Sequence, residues 1–151
     1  MRRSECKKID PDLGVLSSRT LFALQKDLFA TLAEQGHPDL RPRHGAVLAY
    51  LDEEGTRATD LATQSGQHKQ VIGTLVDELA ELGYVVREPD PADRRAKLIV
   101  PTGKGLDLMA RSDAVVAAIE RQHAEAAGEA DYAVFKRVFR LVAARQSGQA
   151  E

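Results

Sequence analysis

Residues 68–100 read HKQVIGTLVDELAELGYVVREPDPADRRAKLIV, and the period of their apolar residues changes midway. From His68 to Leu82 the apolar set is Ile72, Leu75, Val76, Leu79 and Leu82, the spacing of one helical face, and Gly83 ends it. Tyr84, Val85 and Val86 then lead through Arg87 into the turn-rich tract Glu88–Asp93, and Ala96–Val100 follows. This pattern predicts a helix and then a two-stranded hairpin with a long charged tip. Pro101 ends strand pairing, so the second strand is expected to stop by Val100.

Just upstream, residues 57–64 form a shorter helical segment with Leu61 and Ala62 inward, and Ser65-Gly66-Gln67 makes the turn. Two helices joined by a glycine-containing turn form a helix-turn-helix, whose second helix is shaped to enter a DNA major groove. The hairpin that follows is placed to reach the adjacent minor groove or phosphates.

Further out, Pro42 opens a short helix carrying Val47, Leu48 and Leu51, which Gly55 closes. Asp12 caps a long helix running to Gln35. It bears two apolar stripes: Leu21, Leu24, Leu28 and Leu32, and Val15, Phe22 and Phe29. Two stripes on one helix call for two surfaces, one of which a partner subunit can supply. Thr102 caps another long helix to about Ala127, and after Gly128 a last helix carries Tyr132, Phe135, Val138, Phe139 and Val142. The expected fold is mainly α with a small β-hairpin: a winged helix-turn-helix flanked by N- and C-terminal helices that form a dimerisation region. Its parts are a flexible basic arm (1–11), an N-terminal dimerisation helix (12–37), the winged helix-turn-helix (42–101) and C-terminal dimerisation helices (102–146), all within one intertwined domain. The tail beyond residue 145 is expected to fray.

With 151 residues, 43% of them hydrophobic and 29% charged, the composition is that of a globular chain. The formal net charge of −2 gives no global attraction to nucleic acid, so any DNA contact must come from local patches. No apolar run is long enough to span a membrane, and the basic start lacks the apolar core of a secretion signal, so a cytoplasmic protein is expected. One cysteine, Cys6, excludes an intrachain disulfide, and the four scattered histidines lack metal-site spacing. Serines and histidines form no nucleophile–base pattern, and Gly103-Lys104-Gly105 lacks the context of a phosphate-binding loop. Neither an enzyme nor a cofactor is expected.

Gln67–Leu79, with its Leu-Val-Asp-x-Leu core, resembles the recognition helix of the MarR family. The resemblance continues through Leu82-Gly83-Tyr84-Val85-Val86-Arg87, the wing-like Asp90–Leu98 and Thr102-Gly103-Lys104-Gly105. Its motifs cover about Thr56–Leu106. It implies a homodimer that binds double-stranded DNA at a pseudo-palindromic operator, most simply as a repressor. It also implies release by a small effector, aromatic or anionic. The rival reading is a winged-helix protein-interaction module, which an apolar outer face on residues 68–82 would favour.

The candidate DNA-binding residues are His68, Lys69, Gln70 and Thr74 on the helix and Arg94, Arg95 and Lys97 on the wing. Gln suits paired hydrogen bonds to adenine, and Lys suits guanine or phosphate. His68 stands where the family has a hydroxyl cap, leaving Ser65 or a phosphate to complete the helix start. Gly73 loosens the helix, and Asp77 reads as structural. Asp93 is assigned a structural role in the wing, pairing one of the two arginines and leaving the other for the minor groove. Arg43 and His44 are candidate effector contacts, although His44 reads more simply as a surface or interface histidine. A redox role for Cys6 is weakened by its place ahead of the first long helix.

Overall fold

The computed structural model describes residues 1–149, so the end of the expected frayed tail lies outside the described residues. Contacts divide the chain into two units, residues 1–112 and the segment from Asp113 onward.

The first unit starts with α1 (Arg3–Ile9), a two-turn helix where an arm had been expected, and Cys6 is exposed on it. The long helix α2 (Leu13–Glu34) begins at Asp12, whose carboxylate accepts the Val15 N–H at 2.9 Å. Its C-terminal half packs inward through Leu28, Phe29 and Leu32, whereas Leu13, Leu16, Leu21 and Phe22 are exposed. The helix expected from Pro42 is a single 3-10 turn, Pro42–His44, running into the four-residue α3 (Gly45–Leu48), so Leu51 is buried from beyond its end. The Arg41 N–H donates to the His44 ring instead of to backbone, which fixes the tight geometry there.

β1 (Thr56–Arg57) precedes α4 (Ala58–Ser65), and α5 (Lys69–Glu81) follows the turn at Gly66. Gly66 sits at φ +71°, the left-handed conformation that ends α4 and that side chains disfavour. The hairpin is β2 (Val85–Asp90) and β3 (Asp93–Pro101), and β1 adds to its outer side for the order β1-β3-β2, all antiparallel. The sheet thus has three strands, not two. The expected long tip is mostly strand, with only Pro91 and Ala92 left as turn, and β3 ends at Pro101 opposite Val85. Pro101 is tolerated as the last residue of the strand, where the ladder stops needing its N–H.

Leu32, Val47, Leu61, Ile72, Val76, Leu79, Tyr84, Ile99 and Leu108 make one core, drawing on every layer of this unit. α6 (Gly103–Ala127) begins in it, closely fastened to the exit of α5. Thr102 accepts the Gly105 N–H and donates to the Gly83 carbonyl at 2.6 Å, capping α6 as its position predicted. Lys104 Nζ reaches the Leu82 carbonyl and lies over the Tyr84 ring. Below this, buried His37 donates from Nε2 to Asp107 at 2.8 Å, leaving Nδ1 to meet the Tyr84 hydroxyl at 2.9 Å.

In the second unit, the rest of α6 and α7 (Glu129–Gln146) share a polar tie. Glu120 accepts from the Tyr132 hydroxyl at 2.8 Å and from Lys136. Along α7 the rings of Tyr132, Phe135 and Phe139 stack in turn while Phe135 and Phe139 remain exposed. No helix among the described residues is long and apolar enough to cross a membrane.

Candidate nucleic-acid interface

The apolar residues of α5 point one way, with Ile72, Leu75, Val76 and Leu79 all buried. At about 100° per residue, Gln70 and Thr74 then project from the opposite side. Both are exposed, as is Lys69 in the first turn. Among the described residues of α5, Val71 is the one large apolar side chain that is exposed, so the outer face is polar, which goes against the protein-interaction alternative. His68 is the N-cap and makes no side-chain cap bond. Ser65 does not replace it: its hydroxyl accepts the Gln67 N–H at 3.3 Å, closing the turn rather than the helix.

Two braces hold α5 from its flanks. On one, Glu78 Oε2 accepts from Arg43 Nε at 2.9 Å and from His44 Nε2 at 2.8 Å. These bonds hold the Glu78 carboxyl below its ordinary pKa. His44 is 1% exposed, so it is not the surface histidine expected: folding of the 3-10 turn places its ring against α5. On the other flank, Arg87 of β2 pairs with Asp77 at 2.6 Å and reaches the Gly73 carbonyl. Asp77 thus has a structural partner.

In the wing, Asp90 is 6% exposed. It accepts the Ala92 N–H at 2.9 Å and pairs with Arg57 of β1 at 2.6 Å, contacts that keep its pKa low and raise that of Arg57. Asp93 accepts the Arg95 backbone N–H at 3.1 Å and pairs with neither arginine side chain. The expected division, one arginine bound and one free, does not occur, because Asp90 and Arg57 hold the hairpin instead. Arg94, Arg95 and Lys97 are exposed and form no ion pair among the described residues. Gln70, Thr74 and Lys69 therefore share one helix, and the three wing cations share one strand that Arg87 ties to it through β2.

Comparison with known proteins bears on this arrangement. The MarR family model matches residues 39–96. CouR of Rhodococcus jostii RHA1, solved bound to p-coumaroyl-CoA, is 32% identical, with 87% of this chain and 92% of that chain covered and a TM-score of 0.70. The chain belongs to the MarR family. A MarR-family transcriptional regulator of Rhodococcus sp. RHA1 is 30% identical over 87% of this chain and 94% of its own, with a TM-score of 0.69. The repressor CouR bound to a 23-mer DNA duplex superposes at a TM-score of 0.73, with 26% identity, 95% of this chain and 98% of that chain. The regulator YcgE of Bacillus subtilis (strain 168), of the helix-turn-helix type, is 44% identical over 52 residues. That match spans 34% of each chain, about a third of the curated relative's length.

MarR proteins are DNA-binding transcriptional regulators and not enzymes. The winged helix seen here is theirs; of the candidate DNA-facing residues, Lys69, Gln70 and Thr74 are on its α5 and Arg94, Arg95 and Lys97 on its β3. Sequence reasoning missed the braces: Arg57, Arg87 and Glu78 were not singled out. One signal was available, since an acid on a helix meant for DNA demands a cation. The identity of that cation depends on folding.

Proposed function

We propose that this MarR-family chain is a homodimeric, sequence-specific repressor that presents α5 of each subunit to successive major grooves of a pseudo-palindromic operator, with each wing beside it. The observation that carries this reading is the distribution of charge around α5: Asp77 and Glu78 are paired, Glu81 stands at the far end of the helix, and Lys69, Arg94, Arg95 and Lys97 are exposed and unpaired among the described residues. Gln70 and Thr74, on the outward face, are the base-reading candidates, and Lys69 and the uncapped first turn at His68 suit phosphate. Arg94 and Arg95 suit a narrow minor groove, Lys97 a phosphate nearby, and Asp93 shapes the turn that precedes them.

The exposed apolar side chains of α2 and α7, Phe22, Phe135 and Phe139 among them, are surface that a second copy covers. CouR's p-coumaroyl-CoA supports a small aromatic or anionic effector for this chain also, acting in the cytoplasm as operator release. Arg43 and His44 are less suited to that ligand than their sequence position implied, because both are engaged with Glu78.

Fluorescence anisotropy of the full chain, titrated with DNA from upstream of its own gene and with random DNA across a salt series, tests the proposal. A preference for one duplex and a steep salt slope are expected. The double variant Arg94→Ala/Arg95→Ala weakens binding to all duplexes and flattens the slope, whereas Gln70→Ala relaxes discrimination at particular base pairs. Equal loss on every duplex for Gln70→Ala overturns base reading by that residue. No binding at low salt overturns the function.

A further inference from the structure

His44, Arg43 and Glu78 form a buried-to-surface cluster that the DNA-contact residues do not account for. The His44 ring is enclosed, and its hydrogen bonds leave one arrangement: Nδ1 accepts the Arg41 N–H at 3.0 Å, so Nε2 carries the proton and donates to Glu78. Arg43 Nε meets the same Glu78 oxygen. An imidazole and a guanidinium thereby meet on a single carboxylate oxygen of the recognition helix, and a backbone amide fixes the imidazole from its other nitrogen. On a helical wheel the Gln70–Thr74 direction lies between Asp77 and Glu78, which are the two residues braced from outside α5. A helix held on both flanks of its reading face cannot roll.

We infer that Glu78, held by His44 and Arg43, is a positioning residue that sets the roll of α5 and so the register of Gln70 and Thr74 on the bases. The inference rests on the operator-binding reading above. The role is geometric. Glu78 acts as a placed acceptor, its charge being met by Arg43.

Two mild substitutions separate these possibilities. Glu78→Asp keeps the charge and withdraws the acceptor by one methylene, while Glu78→Gln removes the charge and leaves an acceptor oxygen in place. An operator is first selected by the full-length wild type from a random duplex library. Affinity for it and for a scrambled duplex is then measured with each variant, along with a thermal melt to verify folding. Positioning predicts that Glu78→Asp lowers the operator-to-scrambled ratio by about tenfold, the worth of one good bidentate base contact, while Glu78→Gln stays near wild type. Binding to scrambled DNA by Glu78→Asp stays unchanged, which a general loss of structure cannot produce. A wild-type ratio in Glu78→Asp overturns the inference, as does a loss in Glu78→Gln that equals or exceeds it. Failure of the wild type to enrich any sequence overturns the operator reading itself and the role of Glu78 with it.

Discussion

Gly105→Ala replaces one hydrogen with a methyl group at the tightest approach in the fold. A Cβ built on Gly105 stands 2.2 Å from the Tyr84 carbonyl oxygen, 3.1 Å from Pro101 Cβ and 3.3 Å from the Tyr84 carbonyl carbon. The obstruction is backbone on one side and a rigid ring on the other, so no side chain can swing away. Reaching ordinary contact requires α6 to lift by about 1 Å. That motion strains the bonds that fasten it, from the Thr102 N–H to the Tyr84 carbonyl at 3.0 Å and from the Thr102 hydroxyl to the Gly83 carbonyl. Overpacking of this kind costs about 3 kcal/mol and a weakened hydrogen bond about 1 more, offset by about 1 from the better helix propensity of alanine. The net loss of about 3 kcal/mol corresponds to a melting temperature lower by roughly 6–12 °C for a chain of this size. Far-UV circular dichroism melts at equal protein concentration measure it. Gly103→Ala is the control, since its Cβ meets nothing within 4 Å, and it is expected to melt near wild type. A Gly105→Ala protein that also melts within about 2 °C of wild type refutes the steric reasoning.

Gly73→Ala is the converse, a mid-helix glycine of α5 with open space at its Cβ, and it is expected to raise stability by about 1 kcal/mol in the same melts. Asp90, held below the ordinary 3.8 first by the Ala92 N–H and then by Arg57, binds fewer protons folded than unfolded, so its stabilisation is present above that value and is lost as pH falls through the folded pKa. Acid unfolding of Asp90→Asn, followed by circular dichroism, is therefore expected to depend less steeply on pH than that of wild type. Tyr132 behaves oppositely: burial and its bond to Glu120 push its pKa from 10.0 to about 12, so its contribution is complete below 10.0 and lost as pH rises toward about 12. Tyrosinate absorbance should show one tyrosine titrating near that value, and Tyr132→Phe should lose both that step and the matching alkaline loss of stability.

What the sequence made legible follows from what is local. The period of Ile72, Leu75, Val76 and Leu79 is set by residues within a few turns of one another, and so are the caps at Asp12 and Thr102; all appear in the fold as read. β1 was missed because a two-residue strand has no period, and only its pairing with Leu98 and Ile99 makes it a strand. The wing tip was drawn too long for a related reason. Glu88-Pro89-Asp90 looks like turn chemistry in isolation, yet Asp90 is buried by an arginine from β1 and the strand runs on to it. His44 was misjudged because a histidine beside Arg43 and Pro42 resembles surface until its partner, thirty-four residues on, is in place.

The same distinction explains how an acidic chain can offer a DNA-binding surface. Between residues 42 and 101 acidic side chains outnumber basic ones, and a count of charge along the sequence argues against DNA. Folding changes the sum that matters. Arg43, Arg57 and Arg87 are each consumed by an acid, Glu78, Asp90 and Asp77, and these pairs lie at the joints of the winged helix. The cations left exposed, Lys69 at the start of α5 and Arg94, Arg95 and Lys97 on β3, are on the two elements that this fold directs at a duplex. Asp52, Glu53 and Glu54 lie in the loop between α3 and β1, outside both; of the remaining acids on those two elements, Glu81 is the last residue of α5 and Asp93 accepts the Arg95 backbone N–H. At a Debye length of about 8 Å in physiological salt, a phosphate feels the charges beside it far more than the net −2 of the chain. Arginines spent on internal pairs thus contribute to binding through geometry, and those left exposed contribute through charge. Removing Arg57 should therefore leave the salt slope nearly intact while weakening the wing's hold, whereas removing Arg94 should change the slope itself.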